Sequence, residues 1–240
     1  MSVEAVIFDW GGTLSFYANV ELYDMWLLAA EHLARVTGRD PTEFADRLCQ
    51  AELRYWQGVK DAQRTGTLAE ILDAESKALG LDVTTAVLEE VAQRHLDSWT
   101  PHIRHHEDAA PTLRALRSAG LKIGLLSNTH WPASFHEHFL ERDGLASLID
   151  ERAYTSDMAH SKPHPAAFEH ILTRLGVVPA RAVMVGDRPI DDVQGAQHAG
   201  LRGIWRPHSG SPPLENVVPD AVIQRLNELP ALLAAWRGEE

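Results

Sequence analysis

The 240-residue chain has a single cysteine, Cys49. One cysteine excludes an internal disulfide and any cysteine-rich metal site, and its helical surroundings read as those of an ordinary buried thiol. Lysine is also scarce. Lys60, Lys77, Lys122 and Lys162 are the full set, so each can be weighed singly. No apolar run approaches the roughly 18 residues that a membrane span needs. The opening Met1-Ser2-Val3-Glu4 has no basic segment leading into a signal-type apolar stretch, so the reading is cytoplasmic, with no membrane partner. Positive charge is in deficit too. With a formal net charge of −12, the surface repels a phosphate backbone at long range, which disfavours nucleic-acid binding. A small anionic substrate stays admissible, because a few local cations override the average field.

What is present is ordinary in bulk: 45% apolar and 23% charged residues, as in an average globular protein. The length suits one or two domains. The 13 histidines are scattered; His95, His105 and His106 have no clear metal-ligand spacing and read as surface or core residues. Ala5-Val6-Ile7-Phe8 is too brief for a helix and rich in strand formers, and Gly11-Gly12 force a turn after it. From about residue 20 to 100 the period becomes helical. Leu22, Met25, Trp26, Ala29, Leu33 and Val36 form one stripe, and Phe44, Leu48, Ala51 and Tyr55 form another after Pro41. Two more helices fit 67–79 and 84–98. Beyond residue 105, strands at 122–126, 153–154, 182–185, 202–205 and 221–223 alternate with helices at 111–119, 132–142, 165–175 and 190–199. That alternation predicts an α/β fold: a doubly wound parallel core with an inserted all-helical domain. The expected boundaries are 1–15 and 105–240 for the core and 16–104 for the insertion.

Three strands end in residues capable of chemistry: Asp9, Ser127 and Asp187. Ligands bind outside the carboxyl ends of strands in an open parallel sheet, so these converge on one crevice. Each has an ordinary reading as well. Asp beside Gly is commonly a turn residue, Ser127 a cap, Lys162 a solvated loop charge, and Asp187, Asp191 and Asp192 complements to a helix dipole. Taken together, the ordinary readings require five coincidences in matching order.

In that order the residues resemble the haloacid dehalogenase-like hydrolase superfamily, whose members are mostly phosphatases. Asp9-Trp10-Gly11-Gly12-Thr13-Leu14 is similar to its first motif and Leu125-Leu126-Ser127-Asn128 to its second. Ser161-Lys162-Pro163 with Phe168 is similar to the third, and Gly186-Asp187 through Asp191-Asp192 to Ala199-Gly200 to the fourth. The resemblance implies a Rossmannoid core under a helical cap. It implies Asp9 as a nucleophile that takes the phosphoryl group of a small phosphorylated metabolite. It further implies Mg²⁺ held by Asp9, the Gly11 carbonyl and Asp187. Gly12, Thr13, Ser127, Asn128 and Lys162 would contact the substrate, with Asp191 and Asp192 orienting Lys162 from behind.

One position departs from the family pattern. Its phosphatases usually carry a second Asp two residues after the nucleophile, to protonate the leaving group; here that position is Gly11. General acid–base help is worth 10²–10⁴-fold, roughly 3–5 kcal/mol, and its loss weighs most on poor leaving groups. His102, His105, His106 and His130 are candidate substitute donors. Two alternatives remain open: a phosphonoacetaldehyde-hydrolase-like C–P cleavage using a cap lysine, Lys60 or Lys77, and a catalytically silent binder of phosphometabolites or proteins.

Overall fold

The apolar run Ala5–Phe8 forms β1, buried throughout. In the computed structural model, which describes residues 3–238, β1 lies near the middle of a six-stranded sheet. The expectation drawn from Met1-Ser2 falls outside the described residues. The other strands are β2 (Lys122–Ser127), β3 (Glu151–Tyr154), β4 (Ala182–Gly186), β5 (Arg202–Trp205) and β6 (Ala221–Val222), in the spatial order β3-β2-β1-β4-β5-β6. Every pairing is parallel. Alternation along β1 sends Val6 and Phe8 to one face and Ala5 and Ile7 to the other, each face with its own core. Helices cover both faces, which is why the central strands read as unbroken apolar runs.

Four helices follow β1: α1 (Leu22–Thr37), α2 (Pro41–Ala62), α3 (Leu68–Ala78) and α4 (Thr85–Trp99). Local chemistry sets their ends. Gly38 stops α1 with φ at 71°, Asp40 caps α2 ahead of Pro41, and Thr67 and Glu70 form a reciprocal capping box on α3. The block has its own core, built on Trp26, Ala29, Leu33, Phe44, Leu48 and Leu72. The five remaining helices belong to the sheet: α5 (Ala109–Ser118), α6 (Ala133–Arg142), α7 (Pro165–Leu175), α8 (Gly195–His198) and α9 (Leu229–Gly238).

Two short peptides join the helical block to the sheet, and they hydrogen-bond to each other. Phe16 N–H donates to the Arg104 carbonyl and His106 N–H to that of Leu14, both at 2.9 Å, beside an antiparallel Ser15–His105 bridge. A second set of bonds ties the α2–α3 connection to the sheet. Leu68 N–H reaches the His130 carbonyl at 2.7 Å and Ser161 N–H the Gln63 carbonyl at 3.2 Å, and Thr65 Oγ1 donates to the Met158 carbonyl.

Some sequence expectations need correction. Val36, placed on the apolar stripe of α1, is exposed, and Cys49 is only partly buried. Glu52, a charged residue one step from that stripe on α2, is buried instead. The helix expected over 190–199 is broken in two. Pro189–Gln194 is a π-helical turn, and only α8 is regular. The reason is local: the amides of both Asp192 and Val193 point at the Arg188 carbonyl, which widens the turn.

Candidate active site

Chain order reverses beside β1, which has β2 on one side and β4 on the other. Asp9 follows β1, Ser127 ends β2 and Asp187 follows β4, so all three meet at the switch point. Asp9 N–H still bonds to the Val185 carbonyl at 2.9 Å, fixing its backbone to the end of the ladder. Asp9, Ser127, Lys162, Asp187 and Asp192 are all buried. Together with Trp10, Gly11, Gly12, Asn128, His136, Asp191 and residues of α2, they line a cavity of about 440 Å³ between the sheet and the helical block.

Lys162 is the centre of the charge arrangement. Its Nζ donates to Asp9 Oδ1 at 2.7 Å and to Asp192 Oδ1 at 2.6 Å. Burial alone would lower the ammonium pKa, but the Asp192 and Asp9 carboxylates outweigh it and hold Lys162 above the usual lysine range. Burial pushes the Asp9 carboxyl up to about 7; Lys162 opposes this, while the Asp192 and Asp187 charges add to it. Burial also raises Asp191, to about 6, with the Asp192 charge contributing. Asp192 is spent on structure: its second oxygen, Oδ2, accepts the Arg188 N–H at 2.9 Å. A Cβ at Gly186 would stand 2.2 Å from the Asp192 carboxyl, so glycine there is what lets that carboxyl sit against the strand end.

Asp187 is different. One of its oxygens, Oδ2, takes a hydrogen bond from His208 Nε2 at 3.0 Å. The direction follows from the far side of the ring, where Gly210 N–H donates to Nδ1 at 2.9 Å and leaves the proton on Nε2. The other oxygen, Oδ1, is buried with no hydrogen-bond partner. Asp9, Asp187 and Asp192 each bring one carboxylate oxygen within 4.8 Å of the others. An unpartnered oxygen among hard oxygen donors fits a divalent cation of the magnesium type. Gly12, at φ +83°, is the only residue type that fits its turn, since a Cβ would lie 2.8 Å from His208 Nε2.

The remaining expected residues divide. Asn128 spends its carboxamide on the backbone of Lys162, accepting from the N–H and donating to the carbonyl, each at 2.9 Å. Thr13 is fully buried and its hydroxyl makes no hydrogen bond; Gly12 is the member of that pair that faces the cavity. Of the four candidate histidines, His130 lines the cavity. His105 is held between Trp10 Nε1–H and Asp143, and His106 accepts from Arg206. Burial and the Arg206 charge hold His106 down to about 4. Lys60 lines the cavity, whereas Lys77 is an exposed partner of Asp73 at 2.6 Å. Sequence reasoning missed His208 and Arg206. Arg206 is buried after β5 and donates to the Gly12 carbonyl at 2.9 Å. No local motif marks either residue; their position one strand beyond β4 was the available signal.

Comparison with known proteins agrees with this geometry. Residues 3–200 match the haloacid dehalogenase-like hydrolase family. A phosphatase of Mycobacterium tuberculosis strain CDC 1551 / Oshkosh is 29% identical over 240 residues, covering 97% of this chain and 98% of that one. The N-acylneuraminate-9-phosphatase of Rattus norvegicus is 33% identical over 134 residues, about half of each chain (55% and 53%). Among solved structures, a 2-haloacid dehalogenase from Pseudomonas syringae pv. Tomato DC3000 superposes with a TM-score of 0.75 at 26% identity, covering 98% and 99% of the two chains. A HAD phosphatase from Thermococcus onnurineus gives 0.65 at 27% identity, covering 96% and 98%. With the family match spanning most of its length and its strand-end carboxylates gathered around Lys162, the chain belongs to the haloacid dehalogenase-like hydrolases.

Proposed function

We propose that this hydrolase is a magnesium-dependent phosphatase of small phosphorylated metabolites, working through an aspartyl-phosphate on Asp9. The observation that carries the reading is Lys162 Nζ, buried and held between Asp9 and Asp192. Such a cation lets a buried carboxylate stay ionised and accept an anionic group beside it. An Asp9 oxygen attacks phosphorus, the bond to the leaving oxygen breaks, and water later cleaves the acyl phosphate to regenerate the carboxylate. Lys162 offsets charge as it develops, and Ser127 and Gly12 contact the phosphoryl oxygens, while the buried Thr13 supports the turn from outside the cavity. Asp9, Asp187 and the Gly11 carbonyl would hold Mg²⁺, which supplies charge neutralisation where two anions meet. The unpartnered Asp187 Oδ1 supports that choice. It also favours a phosphatase over a dehalogenase, which needs no metal. Asp191 and Asp192 act on Lys162 and its turn from behind.

In this reading residues 16–104 are a cap over a core of residues 1–15 and 105–240. The relatives named as phosphatases support a phosphate-ester substrate. No helix among the described residues is long and apolar enough to cross a membrane. With Gly11 in place of an acid, turnover favours aryl and acyl phosphates over alkyl ones. Hydrolysis of an aryl phosphate should require Mg²⁺ and vanish in Asp9→Asn. Magnesium binding without turnover of any member of a phosphate panel would sink the reading.

A second reading has one observation in its favour. Lys60 lines the cavity, as a Schiff-base lysine in a C–P-cleaving enzyme would have to. Borohydride trapping with phosphonoacetaldehyde should then label Lys60, and an unlabelled chain removes this reading.

A further inference from the structure

Glu52 on α2, His95 on α4 and His130 after β2 lie far apart in sequence, and each is buried. One ligand atom from each lies within 4.8 Å of the other two. We propose that these three residues form a second metal site, for a zinc-class divalent ion, where the helical block meets the sheet domain. This does not rest on the phosphatase reading.

The spacing argues against a plain hydrogen-bonded trio. His130 Nε2 stands 3.5 Å from Glu52 Oε1, and His95 Nε2 stands 3.9 Å from Glu52 Oε2. Neither ring nitrogen of His130 has a hydrogen-bond partner, and the His95 ring has no side-chain hydrogen bond, its one hydrogen-bonding neighbour being the Met25 backbone. Elsewhere in the same molecule, histidine–carboxylate pairs do close: His105–Asp143 at 2.7 Å and His208–Asp187 at 3.0 Å. Tetrahedral ligands at about 2.0–2.1 Å from zinc are about 3.3 Å from one another. The gaps at Glu52 are too long for hydrogen bonds and near that tetrahedral edge.

The chemistry of the set fits as well. Two imidazoles and a carboxylate suit a borderline-soft ion better than magnesium, which prefers oxygen alone. The carboxylate is oriented from outside by Trp26 Nε1–H, which donates to Oε2 at 2.8 Å. The Trp26 ring stacks on His95 with centroids 3.7 Å apart, fixing the plane of the imidazole. Glu52 and His130 also line the cavity that holds Asp9. An ion there has a path in and a coordination position facing the substrate, where its positive charge favours an anionic ligand. The ligands come from both parts of the molecule, so binding would also fasten the helical block down.

The test is cobalt titration of the full chain after chelator treatment, followed by visible absorption, in an Asp187→Asn background that disables the strand-end carboxylates. The expected result is one equivalent bound with the bands of four-coordinate cobalt. Affinity should fall more than about 100-fold in His130→Gln and His95→Gln, beyond the loss typical of an outer-shell change. Zinc should raise the melting temperature of the Asp187→Asn chain and not that of the ligand variants. If a histidine variant fails to fold, the similarly sized Glu52→Gln carries the comparison. Absence of the four-coordinate bands in the parent overturns the proposal, as does a site that survives unchanged in the ligand variants. Absence of phosphate-ester turnover in the chain with Asp187 intact, with cobalt binding at Glu52, His95 and His130 unaffected, would count against the phosphatase reading alone.

Discussion

Asn128 grips the backbone of Lys162 at both ends, its Oδ1 taking the N–H and its Nδ2–H the carbonyl, each at 2.9 Å. The lysine that neutralises Asp9 is thus positioned by a side chain on a different strand end. Asn128→Ala removes both bonds, each worth about 0.5–1.5 kcal/mol. Since a small misplacement near the reacting atoms is costly, kcat should fall by about 10–100-fold with a smaller change in KM. Steady-state kinetics on an aryl phosphate test this, and an unchanged kcat would show that Lys162 is held without Asn128.

Gly11 has space for a side chain: a Cβ there meets no atom within 4 Å. Gly11→Asp should therefore fold and place a carboxyl proton donor beside Asp9. Alkyl phosphate turnover should rise by about 10²-fold, the lower end of what general acid catalysis supplies, with a smaller gain for aryl phosphates. Equal rates for both proteins would mean that another group already donates the proton.

Gly186→Ala should be harmful out of proportion to its one added carbon. The new Cβ would lie 2.2 Å from the Asp192 carboxyl, which must then move away from Lys162 and the Arg188 amide. Overpacking of this kind costs about 1–3 kcal/mol. A lower denaturant midpoint together with lost turnover is expected. A fully active, equally stable variant would show that Asp192 is dispensable where it sits.

The contribution of His136 to stability should fall as the medium is acidified below neutral, against the opposite trend from the raised carboxyls of Asp9 and Asp191. Burial holds His136 down to about 3, from an ordinary value of 6.5. Between those values the unfolded chain binds a proton that the folded chain refuses, so stability rises with pH through this window and is lost as pH falls. At pH 5 the contribution is up to about 2 kcal/mol, at about 1.36 kcal/mol for each pH unit below 6.5. Denaturant unfolding of the parent and of a His136 variant at pH 7 and pH 5 isolates this loss as the difference between the two proteins. His136→Gln, which no longer titrates, should lose less stability on acidification. Parallel pH profiles for the two proteins would place the effect elsewhere.

Much of the site was legible because its parts are local. Asp9, Ser127 and Asp187 each end or directly follow an apolar run, and a parallel sheet brings such ends together whatever the intervening sequence. The helical block was legible from its stripes and from Gly38 and Pro41 at the helix boundaries. His208 was not legible, because it lies in a loop of Ser, Gly and Pro with no period, and its value arises from Asp187, 21 residues away in sequence. Glu52 and His95 were hidden differently. Each sits one step along a helix from apolar neighbours, and only the packing of α2 and α4 on α1, together with the His130 loop, turns them inward together. The break in the helix after Asp187 also escaped the sequence, since Asp192 is a side chain that hydrogen-bonds to the backbone of its own turn.

The two sets of bonds between the helical block and the sheet divide the work of a door. The paired peptides at 14–16 and 104–106, where the chain passes between the two parts, stand where its hinge would be. The bonds from 63–68 to His130, Met158 and Ser161 are its latch. Ser161 immediately precedes Lys162, so the latch is fastened to the peptide that carries the ammonium. A displacement of the helical block would therefore pull on the same peptide that presents Lys162 to Asp9, so the seating of the block and the alignment of the ion pair share one set of bonds.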